Sequence, residues 1–309
     1  MTSNAAYEKR PGNATANLIA LGLVLVAFVV LFWSTFVNMA QRWEDPTFSH
    51  GWVVVPAALV FIWVKRKTFE GLPVKPSWWG LVIVLLGVLS MLMALWADVK
   101  FLPFLSVLVV VAGIIVHLLG WQWFIKLIFP YSFLFFMVPW PDFLLVMVTG
   151  PMQILTATYS AFLASLIGVG VFSEGVNLHM TKPDGTIWHS FEVAVACSGM
   201  RSMVALMCLA AGFAYFTEAA LWKRWLLFLL GAPLAVIANI LRVFGILCIG
   251  NWISVELASK AFHDWSSPVL FLFCTLGLMA IRDFLMRKPK QHGTQTEAHR
   301  SREVEDDVF

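Results

Sequence analysis

The chain has 309 residues, 60% of them apolar and 13% charged, where a soluble domain carries roughly 25% charged residues. The apolar residues come in blocks of about 14 to 22 separated by short charged patches, the pattern of membrane-spanning helices, which excludes a soluble domain. The net charge of +3 does not point to nucleic acid, because the basic residues flank the apolar blocks and act as topology signals.

Lys9 and Arg10 precede the first block, Leu18 to Val37, so the positive-inside rule places the N-terminus in the cytoplasm. That block is long enough to span and lacks a small-residue cleavage site, so no cleavable signal peptide is expected. The stretch "MAQRWEDPTFSHG" then reads as an outer loop. The second block, Trp52 to Val64, ends in Lys65–Lys67, a strong cytoplasmic marker. Trp79 to Trp96 and Phe101 to Leu119 form a helical pair joined outside by "ADVK". Trp121 to Val138 goes outward again, with Lys126 near its inner end, and stops at the prolines of "VPWPD".

Phe143 to Val171 is ambiguous: apolar enough to span, but interrupted by Pro151, Gln153, Thr156, Thr158, Tyr159 and Ser160. Lys223 and Arg224, and the basic tail after Ile281, belong inside. The segment Phe172 to Ala196 must then lie outside, and the ambiguous piece is expected to re-enter or to lie along the interface. Within the outer segment, "GVNLHM" and "TIWHSFEV" flank "TKPDG", and Asp184-Gly185 is a tight-turn pair, which predicts a β-hairpin. The fold expected is an all-α polytopic membrane protein of about eight transmembrane helices with a small extracytoplasmic hairpin. Residues 1–16 form a cytoplasmic segment, 17–286 a single membrane domain and 287–309 a polar, disordered cytoplasmic tail.

Cys208, Cys248 and Cys274 lie deep in apolar blocks and read as small packing residues; no metal spacing is present and no cofactor is called for. Cys197 differs. It opens an inward-going helix at the outer surface, where unpaired N–H groups favour a thiolate, and Arg201 follows one turn along the same face. Arg242, about 18 residues and so roughly 27 Å into the next, outward-going helix, approaches the same surface. His263 sits in the outer loop before the last helix. A histidine can take the thiol proton and return it to a leaving amine, and a charged arginine can bind a carboxylate or a developing oxyanion. Asn239 lies one turn before Arg242, and Gly199 leaves room for close approach. Taken singly, each has a plain reading: a packing cysteine, an ion-pair arginine, a solvated histidine (as for His179 and His189 on the hairpin), or a packed or interfacial one (His117). Three chemically matched residues at one depth are what raises catalysis to an even alternative.

"ACSGMRS" with Cys197, "NILR" with Asn239 and Arg242, and "FH" with His263 resemble the exosortase/archaeosortase family, as do "FSHGWVVVP" and "VPWPDFL" upstream. The resemblance runs in order from about Trp43 to Phe284. It implies a multi-helix cysteine transpeptidase of the cell (inner) membrane, acting on exported proteins that end in a short motif (Pro-Glu-Pro in the best-known group), a membrane helix and a basic tail. Carried over by motif, Cys197 is the nucleophile, Arg242 the transition-state or carbonyl contact and His263 the third member. Arg201 and Asn239 match motif positions of supporting character. The implied partners are those substrates, membrane lipids and an unidentified acceptor nucleophile. Two other readings stay open: a purely hydrolytic intramembrane protease using Ser198, and a non-enzymatic transporter or assembly factor for envelope polysaccharide.

Overall fold

The structure is a computed structural model that describes residues 14–193, 199–258 and 266–286. Helix α1 (Ala14–Leu31) and α2 (Trp33–Glu44) meet at Phe32 with a bend of 63°. The ring of Phe32 is fully buried and lies 5.2 Å from Phe28 and 6.5 Å from Phe36. The single span expected from Leu18 to Val37 is therefore broken, and "MAQRWE" is helix rather than loop. The reason is amphipathicity: Ser34, Asn38 and Gln41 fall on one face of α2 while Thr35 and Met39 are buried on the other, the pattern of a helix lying in an interface.

Helix α3 (Gly51–Val64) follows a short turn, and the Trp43 indole lies on Gly51 while its Nε1 donates to the Met137 carbonyl at 2.8 Å. Helices α4 (Trp78–Trp96) and α5 (Leu102–Leu118) form the most extensive pair, and glycines make it possible. A Cβ at Gly87 would meet Val110 at 2.6 Å, one at Gly113 would meet Val84 at 2.7 Å, and one at Gly80 would strike the His117 backbone. Small residues let helix backbones approach closely where lipid offers no hydrophobic driving force. Helix α6 (Trp121–Phe133) continues into a 3-10 turn at Leu134–Met137 before the prolines.

Helix α7 (Asp142–Leu166) is one continuous helix of 25 residues. Strands β1 (Val171–Glu174), β2 (Asn177–Thr181) and β3 (Ile187–Glu192) make an antiparallel sheet in the order β1-β2-β3. The expected hairpin is β2–β3, with a register shift at Met180/Thr181; β1 was not foreseen. Its turn is held by Asp184, whose carboxylate accepts from the Thr186 hydroxyl at 2.6 Å and the Thr186 N–H at 2.9 Å. The sheet packs Leu178 and Met180 against Ala157, Ala161 and Ala164 of α7 and against Val243 and Leu247 of helix α9 (Leu221–Trp252). Helix α8 (Met200–Phe216) packs on α9, and α10 (Ser266–Met286) packs on both.

The contacts define two ends of the bundle. At one end Lys65 lies over the Tyr215 ring, Lys126, Glu218 and Arg224 line a small cavity with it, and the Lys223 ammonium donates to the Leu285 carbonyl at 2.6 Å. The basic residues expected to share one side of a membrane are thus gathered together. At the other end His50 and Arg201 line one cavity, Trp43 reaches Met137, and Arg42 pairs with Asp142 at 3.1 Å. Helix α7 begins at this second end, with Asp142, and its later half packs beside residues 240–247 of α9, beyond Asn239. By length and composition it is itself able to cross a membrane.

Among the described residues, α4, α7, α9 and α10 are long and apolar enough to cross a membrane, and the bent α1–α2 pair makes a fifth if it is one span. Helices α3, α5 and α8 are apolar but shorter, at 14, 17 and 17 residues.

Candidate active site

Of the three expected catalytic residues, Cys197 and His263 lie outside the described residues, as does Ser198, and Arg242 lies within them. The chain on both sides of residues 194–198 is well tied. On the N-terminal side, Gln153 of α7, buried, donates through Nε2 to the Val193 carbonyl at 2.6 Å. On the C-terminal side, Gly199 is the N-cap of α8 with φ +83°, and a Cβ there would meet the Asn239 Cγ at 2.9 Å. Glycine is required twice over at this position: for a left-handed backbone and for room against Asn239.

Asn239 has no exposed surface, and its Nδ2 donates to the Thr156 hydroxyl at 3.1 Å. At the next residue of α9, the Ile240 carbonyl accepts from the Ser160 hydroxyl at 3.0 Å. Thr149, Gln153, Thr156 and Ser160, spaced four, three and four, form a buried polar stripe on α7. The polar residues that made this segment ambiguous in sequence are the ones that bond α7 to α9 and to the strand leaving the sheet. Their spacing was the available signal. Arg242, half-buried, follows Asn239 by one turn on α9. The structure therefore brings together Gly199, Asn239 and Arg242, with the Gln153–Val193 tether beside them.

Arg201 lies one half-turn into α8, partly buried, and its Nε has no hydrogen-bond partner among the described residues. It lines a cavity of about 620 Å³ with Ser49 and His50 of the "FSHGW" stretch. His50 bonds through Nε2 to the Phe136 carbonyl at 2.9 Å, and the Thr47 backbone is the other polar group beside its buried ring. Burial is the main influence on this ring, and it lowers the pKa below that of a free imidazole, so His50 is neutral at neutral pH. Sequence reasoning passed over His50. Its motif was visible, but nothing in the spacing linked residue 50 to residue 201.

A larger cleft, about 750 Å³, opens at the same end between Arg42, Asp98, Lys100, Trp140 and Asp142. None of Arg201, Asn239 or Arg242 lines it, so its size does not make it the site. The histidines on the sheet are bonded rather than free: His179 Nδ1 is 2.8 Å from the Ser190 hydroxyl, and the His189 ring lies 4.4 Å from Phe191. His117 lies at a helix end beside the Ser77 carbonyl. Cys248 and Cys274 are buried in apolar packing and Cys208 is partly so. Among the described residues, no group of three His, Cys, Asp or Glu side chains could hold a metal ion.

The paired tethers around residues 194–198 and the Asn-x-x-Arg turn on α9 occur within a region, residues 42–280, that matches the family model of transmembrane exosortases. The chain belongs to the transmembrane exosortase family. The match covers most of the described structure, from the end of α2 to the middle of α10, and includes the α7 stripe and the sheet. No curated protein and no solved structure matches the chain.

Proposed function

We propose that this family member is a membrane cysteine transpeptidase that cleaves the C-terminal sorting signal of exported proteins and passes them to an acceptor. The observation that carries the reading is the seat of Gly199 on Asn239. It leaves Cys197 two residues in sequence from a glycine that packs on a buried asparagine, with Arg242 one turn further along α9. The family match adds the class of chemistry.

In this reading the Cys197 thiolate attacks the scissile carbonyl, and Arg242 and neighbouring N–H groups stabilise the oxyanion. The C–N bond breaks, His263 delivers a proton to the departing amine, and an acyl thioester remains on Cys197. An amine then attacks the thioester, the C–S bond breaks and the thiol returns; attack by water gives hydrolysis instead. The basic end of the bundle faces the cytoplasm of the producing cell, both termini lie there, and the chain crosses about eight times. The sheet and the site lie outside.

Replacement of Cys197 by Ala is expected to abolish cleavage of an exported reporter that ends in a motif, helix and basic tail. Cys248→Ala and Cys274→Ala, deep in packing, are expected to keep it. Cleavage that survives Cys197→Ala but not Ser198→Ala overturns the cysteine assignment in favour of a serine. Cysteines placed at residues 183–185 are expected to react with a membrane-impermeant thiol reagent on intact cells; labelling that needs lysis places the site inside.

A further inference from the structure

The cavity that holds Arg201 and His50 is the outer end of a long groove. Helices α3 and α8 run side by side, with His50 beside Arg201 at one end and the Phe61 ring 5.4 Å from Phe216 at the other. They do not pack closely along their length; both lean on α6, and Phe133 closes the back. Helix α8 is the floor, α3 is one wall, and Phe271 of α10 stands on the far side.

We propose that this groove docks the membrane helix of the sorting signal, with Arg201 receiving an acidic residue at that helix's outer boundary. The proposal rests on the transpeptidase reading above and adds where the substrate lies and which end is read. Three observations select a helix. The floor residues Ala205 and Cys208 are small and spaced three apart on one face of α8, ahead of Gly212 under the Phe61 ring, and small residues are what admit a second helix backbone. The groove runs from Arg201 to Phe216, about 22 Å at 1.5 Å per residue, which exceeds one leaflet of a hydrocarbon core of roughly 30 Å. A lipid tail confined to one leaflet would leave its inner part empty. Polar side chains cluster at one end: Ser49, His50 and Arg201 are there, and the rest of the lining is apolar apart from the Cys208 thiol.

Charge complementarity selects the acid. Among the described residues the ion pairs are Arg42–Asp142 and His179–Glu174, so no described carboxylate neutralises Arg201. Its Nε is buried and without a partner among those residues. A cation with an unfilled donor at the top of an apolar slot fits a helix that carries one carboxylate at its end. The placement also meets the needs of the reaction. Arg201 is four residues from Cys197 in sequence, so the charged end of the groove is the end nearest the proposed nucleophile along the chain.

The test uses the full-length enzyme in native membranes, in a Cys197→Ala background that binds without turnover. A photoreactive residue is placed at Val53, at Leu209 or, as a lipid-facing control, at Leu85. The probe is an exported reporter ending in an acidic motif, a membrane helix and a basic tail. Adducts with the reporter are expected from Val53 and Leu209 and not from Leu85. In the active enzyme Gly212→Leu fills the floor and is expected to slow cleavage by about tenfold or more. A Cβ at Gly212 has room, meeting the Phe61 ring at 3.5 Å, and Ala205→Leu repeats the block at the other end should that variant accumulate poorly. Gly22→Leu, on α1 with open space around it, is expected to cleave normally. Arg201→Glu is expected to abolish adducts with an acidic motif and to regain them when the motif acid is changed to Lys.

Cleavage by the parental enzyme together with equal adducts at Leu85 and Val53 overturns the groove and leaves the cysteine chemistry standing. Adducts that carry a phospholipid instead of the reporter assign the groove to lipid and overturn the proposal. Absence of charge-reversal rescue, with the adducts otherwise as expected, overturns the reading of the motif acid by Arg201. If the parental enzyme never cleaves the reporter, the transpeptidase reading falls, and the adduct pattern still decides whether a helix occupies the groove.

Discussion

Two helix pairs in this molecule are held by opposite means. The α4–α5 pair closes through Gly80, Gly87 and Gly113, and its interface is apolar backbone against apolar side chain. The α7–α9 pair closes through buried polar bonds, Thr156 to Asn239 and Ser160 to the Ile240 carbonyl, with Gln153 reaching past both to Val193. A membrane helix gains little from burying polar groups for stability alone, since interhelical hydrogen bonds there are worth about 0.6 to 2 kcal/mol. Polar bonds do fix rotation and depth, because each has a single partner at a single height. The first pair is therefore scaffold, and the second ties down Val193 and Gly199 on either side of residues 194–198.

If that contrast is right, damage to the first pair should remove the protein and damage to the second should remove its activity. Gly113→Leu drives a side chain into the Val84 backbone and is expected to cost about 3 kcal/mol or more, read as loss of membrane-inserted protein and early protease sensitivity. Asn239→Leu is expected to leave insertion nearly intact, at a stability cost of about 1 to 2 kcal/mol, while reporter cleavage falls about a hundredfold. Should Asn239→Leu lower abundance and cleavage in proportion, the α7–α9 bonds are scaffold too and the contrast fails.

Gly199→Ala sharpens the comparison further. It demands a left-handed backbone of a residue with a Cβ and brings that Cβ to 2.9 Å from Asn239. About tenfold slower cleavage at normal protein level is expected. A milder change, Thr156→Val, deletes one bond at nearly constant volume; about threefold slower cleavage with under about 1 kcal/mol of destabilisation is expected by the same assay and by thermal unfolding in detergent.

The smallest effect concerns the sheet. The Thr186 hydroxyl and N–H hold the Asp184 carboxyl below its ordinary value. A depressed carboxylate pKa gives the turn its support above about pH 4, and that support is lost as the pH falls through the lowered value. Amide exchange at Thr186 is expected to quicken at about pH 3 relative to pH 6, and Asp184→Ala is expected to show the fast rate at both. Cleavage at neutral pH should change little, because the turn lies at the far tip of the β2–β3 hairpin from the Val193 tether.

The sequence was legible where a single residue type or a short period carries the signal. Lys65–Lys67, Lys223 and Arg224 mark one end because charge is costly in lipid, and the structure gathers that end around Lys65, Lys126 and Arg224. Asp184-Gly185 announced the hairpin because few residues accept the backbone of a tight turn. The Asn239–Arg242 turn and the Gly199 approach were visible as an i, i+3 pair and a glycine beside a cysteine. The site was less legible where it joins distant elements. His50 and Arg201 are 151 positions apart, and no period connects them; only the side-by-side run of α3 and α8 does. The break at Phe32 escaped because an apolar block does not record its own bend, which the burial of one ring among Phe28 and Phe36 decides. The α7 stripe was seen as an interruption of a span rather than as the partner of α9.

What composition and local chemistry settled by themselves is that the chain is a bundle of apolar helices with one basic end and a tight turn; the helix expected to open at Cys197 opens instead at Met200, behind the left-handed Gly199. Transfer energies of apolar and charged groups are local properties, so they can be read residue by residue. What tertiary structure alone decided is the site's assembly: α7 bonded to α9, Gly199 pressed on Asn239, and a groove tipped by Arg201 and His50. Hydrogen bonds and close packing need two partners at a defined distance and angle, and which partners meet is a property of the packed bundle, not of either strip of sequence.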